Sequence, residues 1–310
     1  MKHIIKLLFS LFTILLLAVG CSSEPKETST PKEPAKKQET EEKSATSSLK
    51  PLLWEVKHGD ATVYLFGTKH LGKPEYYPLP SFVNDAFTSS DTLVTEIIEE
   101  ANMENKLLDF MYKNGETVES HISPETATHI KKRAEEYGID YNMLKIMNPE
   151  MIGITFTQMS YMAAGYSPDF GLDSYFTEEA KKTEKKHVAL ETMDSQLELL
   201  YNQYTKNEAE QELMKIKSKE EAIAEVKEFA ANYLEGNEEA LMKEIIESSN
   251  EEQYKSVVYD RNINMTKKVE EYLKTDKTYF VAVGAAHVIG KDGMVAMLKE
   301  KGYSPMKVEK

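Results

Sequence analysis

Tyr279-Phe280-Val281-Ala282-Val283-Gly284-Ala285-Ala286-His287 is the stretch on which the fold turns. Its first five residues are apolar without a break and rich in aromatic and β-branched types. Such a run reads as a central strand buried on both faces. The glycine then lets the chain turn sharply off the strand, and the histidine lands just beyond the strand end. Upstream, Thr62-Val63-Tyr64-Leu65-Phe66 runs into Gly67-Thr68-Lys69-His70 with the same grammar. Leu52-Leu53-Trp54-Glu55-Val56 precedes it across His58-Gly59-Asp60, so the two runs predict a hairpin. Thr92-Leu93-Val94-Thr95-Glu96 and His187-Val188-Ala189-Leu190-Glu191 are further strand candidates, with a short last one at 306–308.

Between these runs the chain reads as helix. Ser123-Pro124-Glu125 supplies a capping serine and a proline at the first helical position. Ser195 and Glu198 stand at capping-box spacing. Residues 206–274 are rich in Glu, Lys, Ala, Met and Leu, with breaks expected at Gly236 and at Ser248-Ser249-Asn250. Strands first, a long helical insertion, then a strand and a helix predict an α/β (α+β) fold. The large helical insertion is expected to form a partly separate lobe.

The 310 residues carry 38 Lys+Arg against 52 Asp+Glu, a formal charge of −14. With 41% hydrophobic and 29% charged residues the chain is too polar for a multi-span membrane protein and too apolar for a disordered one. The acidic surplus argues against nucleic acid as a partner, because neutralising phosphates needs a concentrated basic face. A single cysteine excludes an internal disulfide framework and a cysteine-rich zinc site.

Residues 1–20 read as an export signal, with Lys2 and Lys6 ahead of an apolar run at 7–19. Ala18-Val19-Gly20-Cys21 resembles a bacterial lipobox, which implies cleavage before Cys21 and acylation of that residue, palmitate included. The chain is then expected at the extracytoplasmic face of the cell membrane, anchored by lipid. Residues 21–48 form the lipidated cysteine and a tether with no Val, Ile, Leu, Met or aromatic residue after Cys21. Such a segment cannot bury enough surface to offset its ordering entropy. The folded domain, 49–310, has 31 basic and 46 acidic residues, so anchoring should rest on the lipid and not on charge.

Two histidines and two glutamates thus fall at or just past strand ends: His70, His287, Glu96 and Glu191. In open sheets with helical crossovers, ligands bind at the carboxyl edge, and these four converge there if the strands run parallel. Neutral imidazoles and a carboxylate suit zinc, manganese, cobalt or iron. Such an ion acidifies water and polarises a carbonyl, while a second carboxylate serves as general base. Each histidine alone also reads as a hydrogen-bonded loop residue, and each glutamate as a helix-capping one. Asp173 reads equally as part of a helix start. Arg261 is either a salt-bridged structural residue or a clamp for a substrate carboxylate or oxyanion. His58, His121 and His129 read as solvated, and His187 as facing away from the site.

The pattern resembles the TraB/GumN family, which includes the Tiki membrane proteases. The strings that carry it are Leu53-Trp54-Glu55-Val56, Phe66-Gly67-Thr68-Lys69-His70, Thr95-Glu96, Gly171-Leu172-Asp173, Leu190-Glu191-Thr192, Arg261-Asn262 and Val283-Gly284-Ala285-Ala286-His287. The resemblance implies His70 and His287 as metal ligands with Glu96 as their carboxylate partner; with the reading of the residues, Glu96, Glu191 and Arg261 are the catalytic candidates. The resemblance also implies a divalent metal (Mn, Co or Zn), a peptide or protein substrate, and a mixed β-sheet core flanked by helices, like that of erythromycin esterase and ChaN-like haem-binding lipoproteins. Two other readings stay open. One is a surface lipoprotein that binds peptide, haem or metal without turnover; the other is a metal-free esterase using His and Glu.

Overall fold

The structure, a computed structural model, describes residues 48–98, 106, 108, 111–112, 115–201 and 206–309. The export signal, Cys21 and the tether as far as residue 47 lie outside the described residues. Among the described residues no helix is long and apolar enough to cross a membrane.

Six strands form one sheet: β1 Leu53–His58, β2 Ala61–Thr68, β3 Thr92–Thr95, β4 Lys186–Ala189, β5 Thr278–Gly284 and β6 Met306–Lys307. Their order is β4-β3-β5-β2-β1-β6. The first two make the expected hairpin, with Gly59 at φ +58° in its turn, where a side chain would be strained. The strands β2, β3, β4 and β5 all run parallel, and β1 opposes them; β6 pairs antiparallel to β1 and so runs in their direction. The mixed sheet that the resemblance implies is therefore present. Its parallel block brings four strand ends to one edge.

The central position of β5 follows from its composition. Tyr279 to Val283 are all buried, and Leu65↔Val281 and Val94↔Val281 register the strand between β2 and β3. Among the described residues, ten helices of seven residues or more surround the sheet: α1 Ser81–Ser89, α2 Pro124–Tyr137, α3 Pro149–Ala163, α4 Leu172–Lys182, α5 Met193–Tyr201, α6 Lys206–Met214, α7 Lys219–Leu234, α8 Glu238–Glu247, α9 Asp260–Tyr272 and α10 Met294–Glu300. Phe66 and Phe280 from the sheet meet Phe87 of α1 and Phe176 of α4, with ring centroids 4.7 to 5.7 Å apart. Edge-to-face and tilted pairs of this kind add about 0.5–1.5 kcal/mol each beyond the area they bury. They hold α4, and with it Asp173, against the sheet.

Several local expectations are met. The Ser123 side chain caps α2 by accepting from the Thr126 amide at 3.2 Å. Helices break at 235–237 and at 248–250, as the glycine and the serine pair suggest. One expectation is corrected: the pair exchanging hydrogen bonds at the start of α5 is Thr192 with Ser195, not Ser195 with Glu198. The break at 215–218 had no glycine to announce it; Ser218 and Glu221 form a capping box that starts α7 there. His121 and His129 are not simply solvated, since one stacks on Tyr112 and the other bonds the Ile216 carbonyl at 2.9 Å.

Candidate active site at the carboxyl edge of the sheet

The loop after β2 is clamped along its length. Lys69 carbonyl accepts from the Leu172 amide at 3.1 Å, and Gly72 exchanges two backbone bonds with Ser167. The contact needs glycines: a Cβ on Gly171 would stand 2.1 Å from the His70 carbonyl oxygen, and one on Gly72 1.9 Å from that of Phe170. Lys69 lies buried over the rings of Tyr161 and Tyr166, at 4.7 and 4.2 Å. Its ammonium is pushed well below the ordinary lysine range by burial, with Lys73 adding to the effect.

This clamp fixes His70, which is 6% exposed. Its Nδ1 is 2.8 Å from Asp173 Oδ2, and Thr68 Oγ1 donates to the other Asp173 oxygen at 2.6 Å. Burial opposes a charge on the ring, but the ion pair and hydrogen bond to Asp173, with Glu96 behind them, outweigh it. The His70 pKa is raised as a result. Asp173 sits in the first turn of α4, so it is a helix-start residue and a histidine partner at once.

His287 reaches the same edge from the short helix Ala285–Val288 that follows β5. The glycine of the first motif makes room for the second. A Cβ on Gly67 would press on Ala285 Cα and Leu52 Cβ, both at 3.2 Å. His287 Nδ1 is 2.6 Å from Asn262 Oδ1. Asn262 Nδ2 donates to the carbonyls of Asp292, at 2.7 Å, and Ala286, at 3.5 Å, so its oxygen is the acceptor toward the ring. The imidazole therefore carries its proton on Nδ1 and its lone pair on Nε2. Burial, then the Arg261 charge, pushes this histidine well below its usual range, and it stays neutral.

Between the two histidines lies a buried charge cluster. Arg261 Nη2 donates to Glu96 Oε2 and Glu191 Oε2, each at 2.6 Å, and its Nε reaches Glu191 Oε1 at 2.9 Å. Its Nη1 bonds the Val257 carbonyl in a π-helical stretch, Lys255–Tyr259, that leads into α9. Burial would lower the arginine pKa, but the two glutamates reverse that and hold the guanidinium charged. Glu96 Oε1 accepts from the Gly284 amide at 2.8 Å and stands 3.8 Å from His287 Nε2. Gln196, wholly buried, bridges the carboxylates with Nε2 at 3.2 Å from Glu96 and 2.9 Å from Glu191.

A cleft of about 200 Å³ opens over this edge, lined by His70, Thr95, Glu96, Asp173, Glu178 and His187, with Ile97 and Ile98 as apolar wall. His187 is thus a correction, because its ring turns into the cleft and not away from it. His187 stands near the start of β4, but the register Leu93↔His187 and Thr95↔Ala189 puts its side chain on the face that carries Thr95. The Thr95 hydroxyl is 2.7 Å from its Nε2. All five predicted residues meet at one edge, yet not alike. His70 and Glu96 face the cleft, whereas His287, Glu191 and Arg261 are not among its lining residues.

The donor set fits a divalent ion in its chemistry. Both rings have Nδ1 fixed by a side-chain acceptor, which is how ligating histidines are commonly oriented through the other nitrogen. The 3.8 Å between Glu96 Oε1 and His287 Nε2 is too long for a hydrogen bond and close to the ~3.4 Å that separates two donors on one tetrahedral ion. In geometry, no group of three or more His, Cys, Asp or Glu among the described residues is placed to hold a metal ion. Arg261 is saturated by its two carboxylates, which favours its salt-bridged reading over a free clamp. Sequence reasoning missed Gln196 and the pairings of Thr68 and Asn262, since polar residues on helices and strand ends give no signal of burial.

A stretch of 61 residues is 43% identical to the metalloprotease TIKI homolog of Amphimedon queenslandica, covering 19% of this chain and 12% of that protein. Over 244 residues the chain is 21% identical to the uncharacterized protein YbaP of Escherichia coli (strain K12), covering 78% of this chain and 89% of YbaP. The YbaP of Shigella flexneri matches to the same extent. No solved structure matches. The TraB/PrgY/gumN family profile matches residues 52–307, from the first strand to the last, and the chain belongs to that family.

Proposed function

We propose that this protein is a hydrolase, acting on peptides or proteins with a divalent metal (Mn, Co or Zn) held at the carboxyl edge of the sheet. The observation that carries the reading is the pair of buried imidazoles flanking Glu96, each with Nδ1 tied to a side-chain acceptor. His70 and His287 would hold the ion through Nε2, and Glu96 through Oε1. The ion supplies Lewis acidity and an acidified water when bound. The chain's own residues do the rest. Asp173 and Asn262 aim the rings, while Arg261 and Gln196 keep Glu96 and Glu191 in place. Of Glu96, Glu191 and Arg261, Glu96 alone lines the cleft. The 43% identity to a protein described as a metalloprotease supports the reaction class, although it spans only 61 residues.

Mass spectrometry of the desalted chain after loading with each metal tests this. The parent should retain close to one ion per chain, and His70→Ala and His287→Ala should each lose it along with chelator-sensitive peptide hydrolysis. Full turnover in either variant removes the assignment. A second reading, a metal-free esterase, is favoured by the His70–Asp173 pair, which is built like an acid–base couple. Chelator-resistant ester cleavage that disappears in Asp173→Asn would establish it in place of the first.

The location follows from the sequence alone. Cleavage before Cys21, acylation of its thiol, and a tether over 22–48 would place the domain outside the cell membrane, facing its substrate. Labelled palmitate should enter the parent and not Cys21→Ser, and only the variant should be recovered free of membranes. Palmitate-free parent protein in the soluble fraction would count against the anchor.

A further inference from the structure

His187 stands in the cleft with its protons accounted for. Thr95 has one hydroxyl proton, and it goes to the Ile97 carbonyl at 2.8 Å. The 2.7 Å contact between Thr95 Oγ1 and His187 Nε2 must then use the proton on Nε2. A neutral ring protonated there has its lone pair on Nδ1, and among the described residues no donor meets that atom. The half-buried ring is neutral at neutral pH because burial lowers its pKa. Among the described residues the lining adds Asp173 and Glu178 as acceptors and the hydroxyls of Ser174 and Thr177, and it contains no lysine or arginine.

We propose that His187 is a substrate-contacting residue of this cleft, fixed by Thr95 and accepting a hydrogen bond at Nδ1 from an N–H of a bound peptide. The proposal deepens the reading of the cleft as a peptide site and rests on it. It follows that the cleft recognises hydrogen-bond donors, as a peptide main chain supplies, and is poorly suited to anionic substrates. Thr95 is a positioning residue, because it acts through the imidazole.

The experiment uses the full chain and a library of short acetylated and amidated peptides as the probe. Metal-loaded parent, His187→Phe and His187→Gln are compared on the best-cleaved member. His187→Phe should raise KM about tenfold, the usual scale for one lost hydrogen bond to a bound group, and leave metal content and Tm unchanged. His187→Gln restores an acceptor and should recover most of that loss, which a packing role would not predict. Unchanged KM in His187→Phe overturns the proposal. A second arm needs no turnover. In a 15N-histidine spectrum of the full chain, with the His187 signal identified by its loss in His187→Gln, the library should shift that signal. A shift at His70 with none at His187 overturns this proposal alone. No hydrolysis and no shift at either histidine removes the peptide-site reading beneath it, and His187 with it.

Discussion

The loops after β2 and after β5 have the same sequence grammar, and the parallel sheet sets them side by side, yet their histidines live in opposite electrical surroundings. His70 faces a carboxylate, Asp173, and its pKa is raised. His287 faces an amide, Asn262, with the Arg261 guanidinium near, and its pKa is driven well down. The motif fixes where each ring sits; the residue across from Nδ1 fixes what charge it carries. A strong and a weak proton acceptor are thus held on either side of one carboxylate, the division of roles that acid–base chemistry uses.

The stability of this edge depends most on Arg261. Arg261→Met would leave Glu96 and Glu191 buried without their cation, and breaking one side of such a network costs about 3–5 kcal/mol. A thermal scan should show a fall of many degrees or the loss of a cooperative transition. Arg261→Lys keeps the charge without the fork and should fall between the variant and the parent. An unchanged Tm in Arg261→Met would mean that the cluster does not hold the edge together.

Exchanging the two Nδ1 partners sharpens the comparison next. In the metal-free chain, kept so by chelator, the two rings should oppose each other in pH dependence. His70, raised, contributes stability fully present below its unfolded pKa of about 6.5 and lost as pH rises through its folded value. His287, lowered and buried neutral, contributes stability present above about 6.5 and lost as pH falls below it, because only the unfolded ring then takes a proton. Asp173→Asn should remove the first dependence and steepen the loss of stability in acid. Asn262→Asp should give His287 a carboxylate and flatten that acid loss. Denaturant midpoints across pH read both, and identical profiles in the two variants would show that the partner at Nδ1 does not set the charge.

Much of this comparison was legible in the sequence. Two apolar runs ending in Gly-x-x-His are read directly, because a strand buried on both faces has no polar alternation to obscure it. What the spacing could not say was the direction of the strands, on which the meeting of His70 and His287 depends; the register of β2 and β3 on β5 supplies it. Asp173 was readable only as a helix start because its partner, His70, is brought to it by the sheet and the aromatic cluster. Gln196 gave no signal, since a glutamine between acidic and apolar helix residues looks like surface until Glu96 and Glu191 are seen to face it. His187 was misread from its place at the far end of the strand from Glu191, whereas the register Leu93↔His187 and Thr95↔Ala189 puts its ring on the same face as Thr95.

The smallest expected effect asks how separate the two loops are. Thr68→Val keeps shape and removes one hydrogen bond, the 2.6 Å donation to Asp173 Oδ1. A bond to a charged group is worth about 1.5–3 kcal/mol, and Asp173 is partly wetted at 14% exposure, so the loss should lie near the low end. At ~2–4 °C per kcal/mol for a domain of this size, Tm should fall by a few degrees. With Asp173 less firmly held, the His70 signal in a 15N-histidine spectrum should move, and the His287 signal should stay within its error. Equal movement of both would show that the cluster of Glu96, Glu191 and Arg261 transmits the change, making the two loops one electrical unit. Movement at His70 alone would establish that each Gly-x-x-His carries its own partner and its own charge.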